Sequence, residues 1–246
     1  MPTFRLTLEY DGTDFAGWQS QKQGERTVQA TLAAALAEIA GQPVRVLGAG
    51  RTDAGVHAEG QVAAASFATR LDPETLARAS NAKLPADLTV VAATLAPDGF
   101  DPRREARSKL YRYALWNGSA PSPLRRRRCH HVREPVDVAA MAGTAAALVG
   151  RHDFASFRAA GSPVASTTRT LMRVAVEGEA RGEIRFELLG DGFLRHMVRN
   201  IVGTLLEVGL GRRAPESLPA LLAARDRSAA GPTAPACGLT LVRVDY

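Results

Sequence analysis

The segment Gly48-Ala49-Gly50-Arg51-Thr52-Asp53-Ala54-Gly55-Val56-His57-Ala58 holds the residues best suited to chemistry. Its three glycines within eight residues, Gly48, Gly50 and Gly55, permit unusual backbone angles and close approach of another chain. It carries one carboxylate, Asp53, beside one guanidinium, Arg51. A carboxylate on a tight loop can act as base or nucleophile. It can equally cap the turn, leaving Arg51 a surface charge. The segment lacks the Lys-Ser/Thr pair of a phosphate loop, which argues against nucleoside triphosphate binding. Further along, Tyr111 and Tyr113 share one face of a predicted strand, and a core role suits Tyr113. Arg195 and Arg199 lie four residues apart on a predicted helix and so share a side. Cys129-His130-His131 is no metal signal, because adjacent positions rarely converge on one ion.

These residues need elements to position them. Phe4, Leu6, Leu8 and Tyr10 alternate with polar residues, as in a half-buried strand, and Asp11-Gly12 marks a turn. The spacing of Val28, Leu32, Leu36 and Ile39 predicts a helix over 27–40, with Thr27 as N-cap and Gly41 as stop. Short strands follow around 44–47 and 62–67, and the Asp53 segment links them. Asp72-Pro73 opens a helix to about 83, and a strand follows at 88–95. The order is βαββαβ, the ferredoxin-like arrangement.

The second half repeats that order. A strand is predicted at 109–116. Asp137 caps a helix with Met141, Ala145 and Leu148 inward, ended by Gly150. Strands at 171–176 and 184–189 flank a short turn. A helix over 193–208, a short one opening at Pro215, and a final strand at 239–244 complete the half. The predicted fold is α+β, with two ferredoxin-like halves of antiparallel or mixed sheet, 1–103 and 104–246, around a central cleft.

Composition sets the class. The chain has 246 residues, 46% apolar and 23% charged, enough to bury a core and to argue against global disorder. The net charge is +6, and 28 of 31 basic residues are Arg, the better bidentate phosphate ligand. Ten basic residues and one acid fall between Arg103 and Arg133, leaving the rest at −3 (6 − 9). A base bias of the genome would not concentrate charge in this way, so the cluster reads as a nucleic-acid backbone footprint. Cys129 and Cys237 form neither a disulfide framework nor a CxxC clip. The sequence shows no signal peptide and no apolar run long enough to span a membrane, and a reducing, cytoplasmic setting is expected.

The octamer Gly50–His57 resembles the catalytic signature of the tRNA pseudouridine synthase A family. Tyr10-Asp11-Gly12-Thr13, Gly17-Trp18-Gln19 and Val28-Gln29 resemble that family's opening block. Later blocks are similar at Asn81, Leu84-Pro85, Asp87, Lys109–Tyr113, His152-Asp153-Phe154, Gly192–Asn200 and Gly238-Leu239, in family order. Two segments depart: Phe100-Asp101-Pro102-Arg103-Arg104 stands where Phe-His-Ala-Arg-Phe is usual, and Arg125–Arg128 is an unusually basic version of a variable loop.

The resemblance implies an isomerase that converts uridine to pseudouridine at positions 38, 39 and 40 of the tRNA anticodon stem-loop. It works as a homodimer without metal, nucleotide or other cofactor. It implies Asp53 as the essential carboxylate, acting at ribose C1′, at uracil C6, or as a base at C2′. It also implies Tyr111 as the residue stacking on the uracil and Arg199 as the partner of Asp53. Arg51, His57, Arg103, Arg107 and Arg195 join Tyr111 as candidate RNA contacts, His57 doubling as a loop-ordering residue. Two other classes compete: a non-catalytic RNA-binding module, which leaves Asp53 unexplained, and a dimeric metabolic enzyme, which does not need the basic loops.

Overall fold

The alternation of Phe4, Leu6, Leu8 and Tyr10 is realised in β1 (Thr3–Tyr10) of the computed structural model, where all four side chains are buried. Residues 1–21, 24–161 and 164–246 are described; Lys22, one of the three lysines, lies outside them. The chain divides into two compact units, Met1–Arg107 with Thr240–Tyr246, and Ser108–Leu239.

In the first unit, α1 (Val28–Ala40) begins where Thr27 accepts the Ala30 N–H and stops at Gly41, whose φ of 67° places it in the left-handed region. β2 (Val46–Gly48), β3 (His57–Ser66), α2 (Pro73–Asn81, capped by Asp72) and β4 (Leu88–Ala96) follow. β1 lies antiparallel between β3 and β4, and β2 pairs antiparallel with the later part of β3. β3 is small and apolar along most of its length, with Ala58 and Val62–Ala65 buried. It starts at His57, earlier than the predicted strand at 62, so the octamer's last residue already belongs to the strand.

The last strand, β10 (Leu239–Asp245), was expected to complete the second half, yet residues from Thr240 onward cluster with the first unit. Thr240 and Leu241 pair in parallel with His57 and Ala58. Gly60 makes room, since a Cβ there would lie 2.4 Å from the Val242 carbonyl oxygen. The Tyr246 hydroxyl donates to the Pro102 carbonyl (2.8 Å), and the Arg107 N–H to that of Asp245 (2.8 Å). These long-range bonds carry the first unit past residue 103 to Arg107 and return the C-terminal strand to it.

The second unit contains β5 (Ser108–Trp116), β6 (His130–His131), α3 (Val138–Ala145), β7 (Gly150–Asp153), β8 (Thr168–Gly178), β9 (Glu183–Gly190), α4 (Met197–Gly209) and α5 (Leu218–Ala224). Its strands run β5-β9-β8-β7 in antiparallel pairs, with β6 parallel on β5. Asp137 caps α3 through the Ala140 N–H, and Met141, Ala145 and Leu148 are fully buried, as the spacing predicts. β6 and β7 are too short to show a period and were not anticipated.

α4 starts at Met197, four residues after the predicted start at Phe193. His196 has a left-handed φ of 62° and ends helical continuity upstream. The Arg195 carbonyl accepts the Ala159 N–H (2.9 Å) instead of a helical partner. Arg195 therefore lies outside the helix and, contrary to the expectation from spacing, shares no helical face with Arg199.

Candidate active site

Asp53 lies on the link between β2 and β3 of the first unit, a loop tied down residue by residue. The Thr52 carbonyl accepts the Trp18 N–H (3.0 Å), and the Asp53 carbonyl accepts the Val56 N–H (3.2 Å). Gln61, fully buried on β3, donates through Nε2 to the Gly50 carbonyl (2.9 Å). The Tyr10 and Thr52 hydroxyls are 2.9 Å apart in the interior. Arg51 is exposed, Asp53 half-buried, and Thr52 and Val56 are buried. The loop thus anchors its neighbouring positions in the core and leaves the Asp53 side chain near the surface.

Glycines make that anchoring possible. A Cβ on Gly12 would lie 2.0 Å from the Val56 carbonyl oxygen. Gly17, at φ +100°, would bring one within 2.8 Å of the Thr52 oxygen, and Gly48 one within 2.5 Å of the Trp18 ring. Tyr10–Trp18 and Gly50–His57, far apart in sequence, are two sides of one local structure.

Two buried polar groups set the electrostatics beneath the loop. Burial pushes the Tyr10 hydroxyl up to about 12, against opposing hydrogen bonds from Thr52 and Gln61. His57 is only 3% exposed, and its Nδ1 accepts the Gly12 N–H (3.1 Å). The Asp11 carboxylate oxygen Oδ1 approaches the same nitrogen at 3.2 Å.

In the second unit, β5 carries Tyr111 and Tyr113 on one face. Tyr111 is 8% exposed and packs edge-on against Phe193, with ring centroids 4.9 Å apart. Tyr113 is fully buried and donates to the Pro235 carbonyl (2.9 Å); burial pushes its hydroxyl pKa far up. It is a core residue, as its position suggested. Arg199 is half-buried on α4 and donates through Nε to the Ala234 carbonyl (2.7 Å), while the Ala234 N–H donates to the Arg199 carbonyl (3.1 Å). Next to it, the buried Asn200 side chain donates to the Phe157 carbonyl and accepts from Arg227 and Thr233. Arg195 is exposed.

The remaining candidate RNA contacts are surface groups. Arg103 and Arg107 are exposed, and the Arg103 N–H donates to the Asp101 carboxylate (2.9 Å). Arg125–Arg128 lie in an exposed turn, with the Arg125 guanidinium 4.6 Å from the Trp116 ring centroid and 3.6 Å from Glu183. Beside it, the Cys237 thiol donates to the Cys129 carbonyl (3.7 Å). Thr52, Phe193 and Asn200 fall within the segments that resemble the family's blocks but carried no role of their own, and Gln61 was not anticipated. Gln61 lies just before the strand expected at 62–67, so no periodicity marked it.

The family described as tRNA pseudouridine synthase matches residues 7–103 and 144–246. The chain belongs to that family. The matched spans contain the Asp53 loop, its Tyr10–Trp18 support and the Arg199 helix; Tyr111 and the arginine turn lie in the interval between them. Among curated relatives, the chain is 49% identical to the tRNA pseudouridine synthase A of Moorella thermoacetica, over all of both chains. It is 46% identical to that of Myxococcus xanthus, over all of this chain and 92% of the relative, and 44% identical to that of Geotalea uraniireducens, over all of both.

Proposed function

We propose that this chain is a tRNA pseudouridine synthase, an isomerase that converts uridine to pseudouridine in the anticodon stem-loop, at positions 38, 39 and 40. The observation that carries this is Asp53, a half-buried carboxylate on a loop held from both sides, in a chain alike from end to end to tRNA pseudouridine synthases. The conversion breaks the bond from ribose C1′ to N1 and forms one to C5, and the C5 proton must leave. It is a redox-neutral rearrangement needing a carboxylate, a platform for the detached base and a proton route.

Asp53 supplies the carboxylate. Tyr111, braced by Phe193, stacks on the uracil and assists the C5 proton, and Arg199 keeps Asp53 ionised. Arg51, Arg103, Arg107 and Arg195 contact the RNA, and His57 orders the loop beside them. One site serving three neighbouring positions relies on backbone contacts, which carry orientation and not base identity. The exposed arginines, including Arg125–Arg128, suit that role.

The same reading takes the enzyme to be a cytoplasmic homodimer of two ferredoxin-like halves. The order β1-α1-β2-β3-α2-β4, with β1 between β3 and β4 and β2 on β3, supports the first of these halves. Among the described residues, no helix is long and apolar enough to cross a membrane. The test is release of tritium from unmodified tRNA labelled at uridine C5, with Asp53→Asn as control. The parent should release label and the variant should not; equal release from both would reject Asp53 as the catalytic carboxylate.

A further inference from the structure

Thr52 stands immediately before Asp53, and both its backbone and its side chain are bonded into the first unit. Its carbonyl accepts the Trp18 N–H (3.0 Å), and its hydroxyl lies 2.9 Å from the Tyr10 hydroxyl. On the neighbouring strand, Gln61 Nε2 holds the Gly50 carbonyl (2.9 Å), two residues before Thr52. All three side chains are buried: Tyr10 is 2% exposed, Thr52 7% and Gln61 0%. Asp53, the residue after Thr52, is half-buried.

Buried polar groups must keep their partners, because an unpartnered hydroxyl or amide in the interior loses its hydration with nothing in return. Such a network therefore admits one arrangement. Tyr10 comes from β1 and Gln61 from β3, antiparallel neighbours whose pairing shifts between Leu8–Gln61 and Tyr10–Ala58. The frame that sets the loop is thus the sheet itself. Apolar packing alone would hold the segment less specifically, since it lacks directional bonds.

We propose that Tyr10, Thr52 and Gln61 are positioning residues that transmit the register of β1 and β3 to the Asp53 carboxylate. This rests on Asp53 being the catalytic group. None of the three reaches the RNA. They act by fixing the backbone on which Asp53 stands, and an error of an ångström at a reacting group can cost about 10²-fold in rate.

The test compares Thr52→Val, Tyr10→Phe and Thr52→Ser with the parent in two measurements: kcat and KM for tritium release from tRNA, and hydrogen exchange at the Trp18 and Val56 amides. Thr52→Val keeps shape and loses the hydroxyl. It should lower kcat about tenfold or more at nearly constant KM and speed exchange at both amides in the folded protein. Tyr10→Phe should do the same less severely, and Thr52→Ser should recover most of the rate. A Thr52→Val protein with unchanged exchange would overturn the proposal. So would faster exchange with parental kcat, which would mean that loop order is not needed. Activity surviving in Asp53→Asn would instead reject the catalytic role of Asp53, and that control alone reports it.

Discussion

The Tyr10 hydroxyl lies 2.9 Å from the Thr52 hydroxyl, so a strand residue at the start of the chain is bonded to the neighbour of the candidate catalytic carboxylate. Because Tyr10 is fully enclosed, its ionisation is pushed up to about 12, burial being the main cause.

That shift makes stability depend on pH in a defined direction. Tyr10 ionises near 10 in the unfolded chain and near 12 in the folded protein. A raised value stabilises the fold fully below pH 10, and the contribution is lost as pH rises toward 12, at up to about 1.4 kcal/mol per pH unit. Tyr113 and Tyr246 are also raised, so the comparison with Tyr10→Phe isolates this residue. In urea unfolding from pH 9 to 12 the parent should lose stability faster than the variant. Parallel curves would contradict the assignment.

Gly12→Ala should be disproportionately damaging for so small a change. The added Cβ would fall 2.0 Å from the Val56 carbonyl, backbone that cannot swing aside. A cost of about 2 kcal/mol or more is expected from overpacking, together with loss of tritium release. Thermal unfolding and activity measured together check this; a variant with parental values in both would show that the loop accommodates the methyl.

Arg199→Lys retains a positive charge but not the planar guanidinium whose Nε holds the Ala234 carbonyl. If Arg199 keeps Asp53 ionised in the reaction, kcat should fall about tenfold or more while KM changes little. A double-mutant cycle with Asp53→Glu should then be non-additive. Strict additivity would separate the two residues functionally.

The Arg125–Arg128 turn should act through charge. Arg126, Arg127 and Arg128 are exposed, and Arg125 is engaged with Trp116 and Glu183. Replacing residues 126, 127 and 128 by Gln should weaken tRNA binding and flatten the plot of log affinity against log salt, by up to about 0.9 for each phosphate that is no longer neutralised. The rate at saturating tRNA should hold. Filter binding from low to moderate salt measures the slope, and an unchanged slope would remove the turn from the RNA footprint.

Local rules carried much of the fold because they act within a few residues. The β1 alternation, the Thr27 and Asp72 caps and the Gly41 stop each depend on neighbours in the chain, and each appears where the spacing placed it. Asp53 was legible as a carboxylate in a glycine-rich loop, and its resemblance to a family signature gave it a role. The start of α4 was not legible, because a left-handed His196 and the hold of Ala159 on Arg195 are invisible to periodicity.

Long-range pairing was decided by the tertiary structure alone. The C-terminal strand joins the first unit because Thr240 and Leu241 meet His57 and Ala58, with Gly60 leaving room. Gln61 lay outside the strand expected at 62–67, and only folding puts its amide on the Gly50 carbonyl and the Tyr10 hydroxyl beside that of Thr52. The amino-acid sequence determined which residues could do the chemistry and which local elements carry them. Where the Asp53 loop is fixed depends on directional hydrogen bonds between strands distant in the chain, and only folding brings those donors and acceptors within reach.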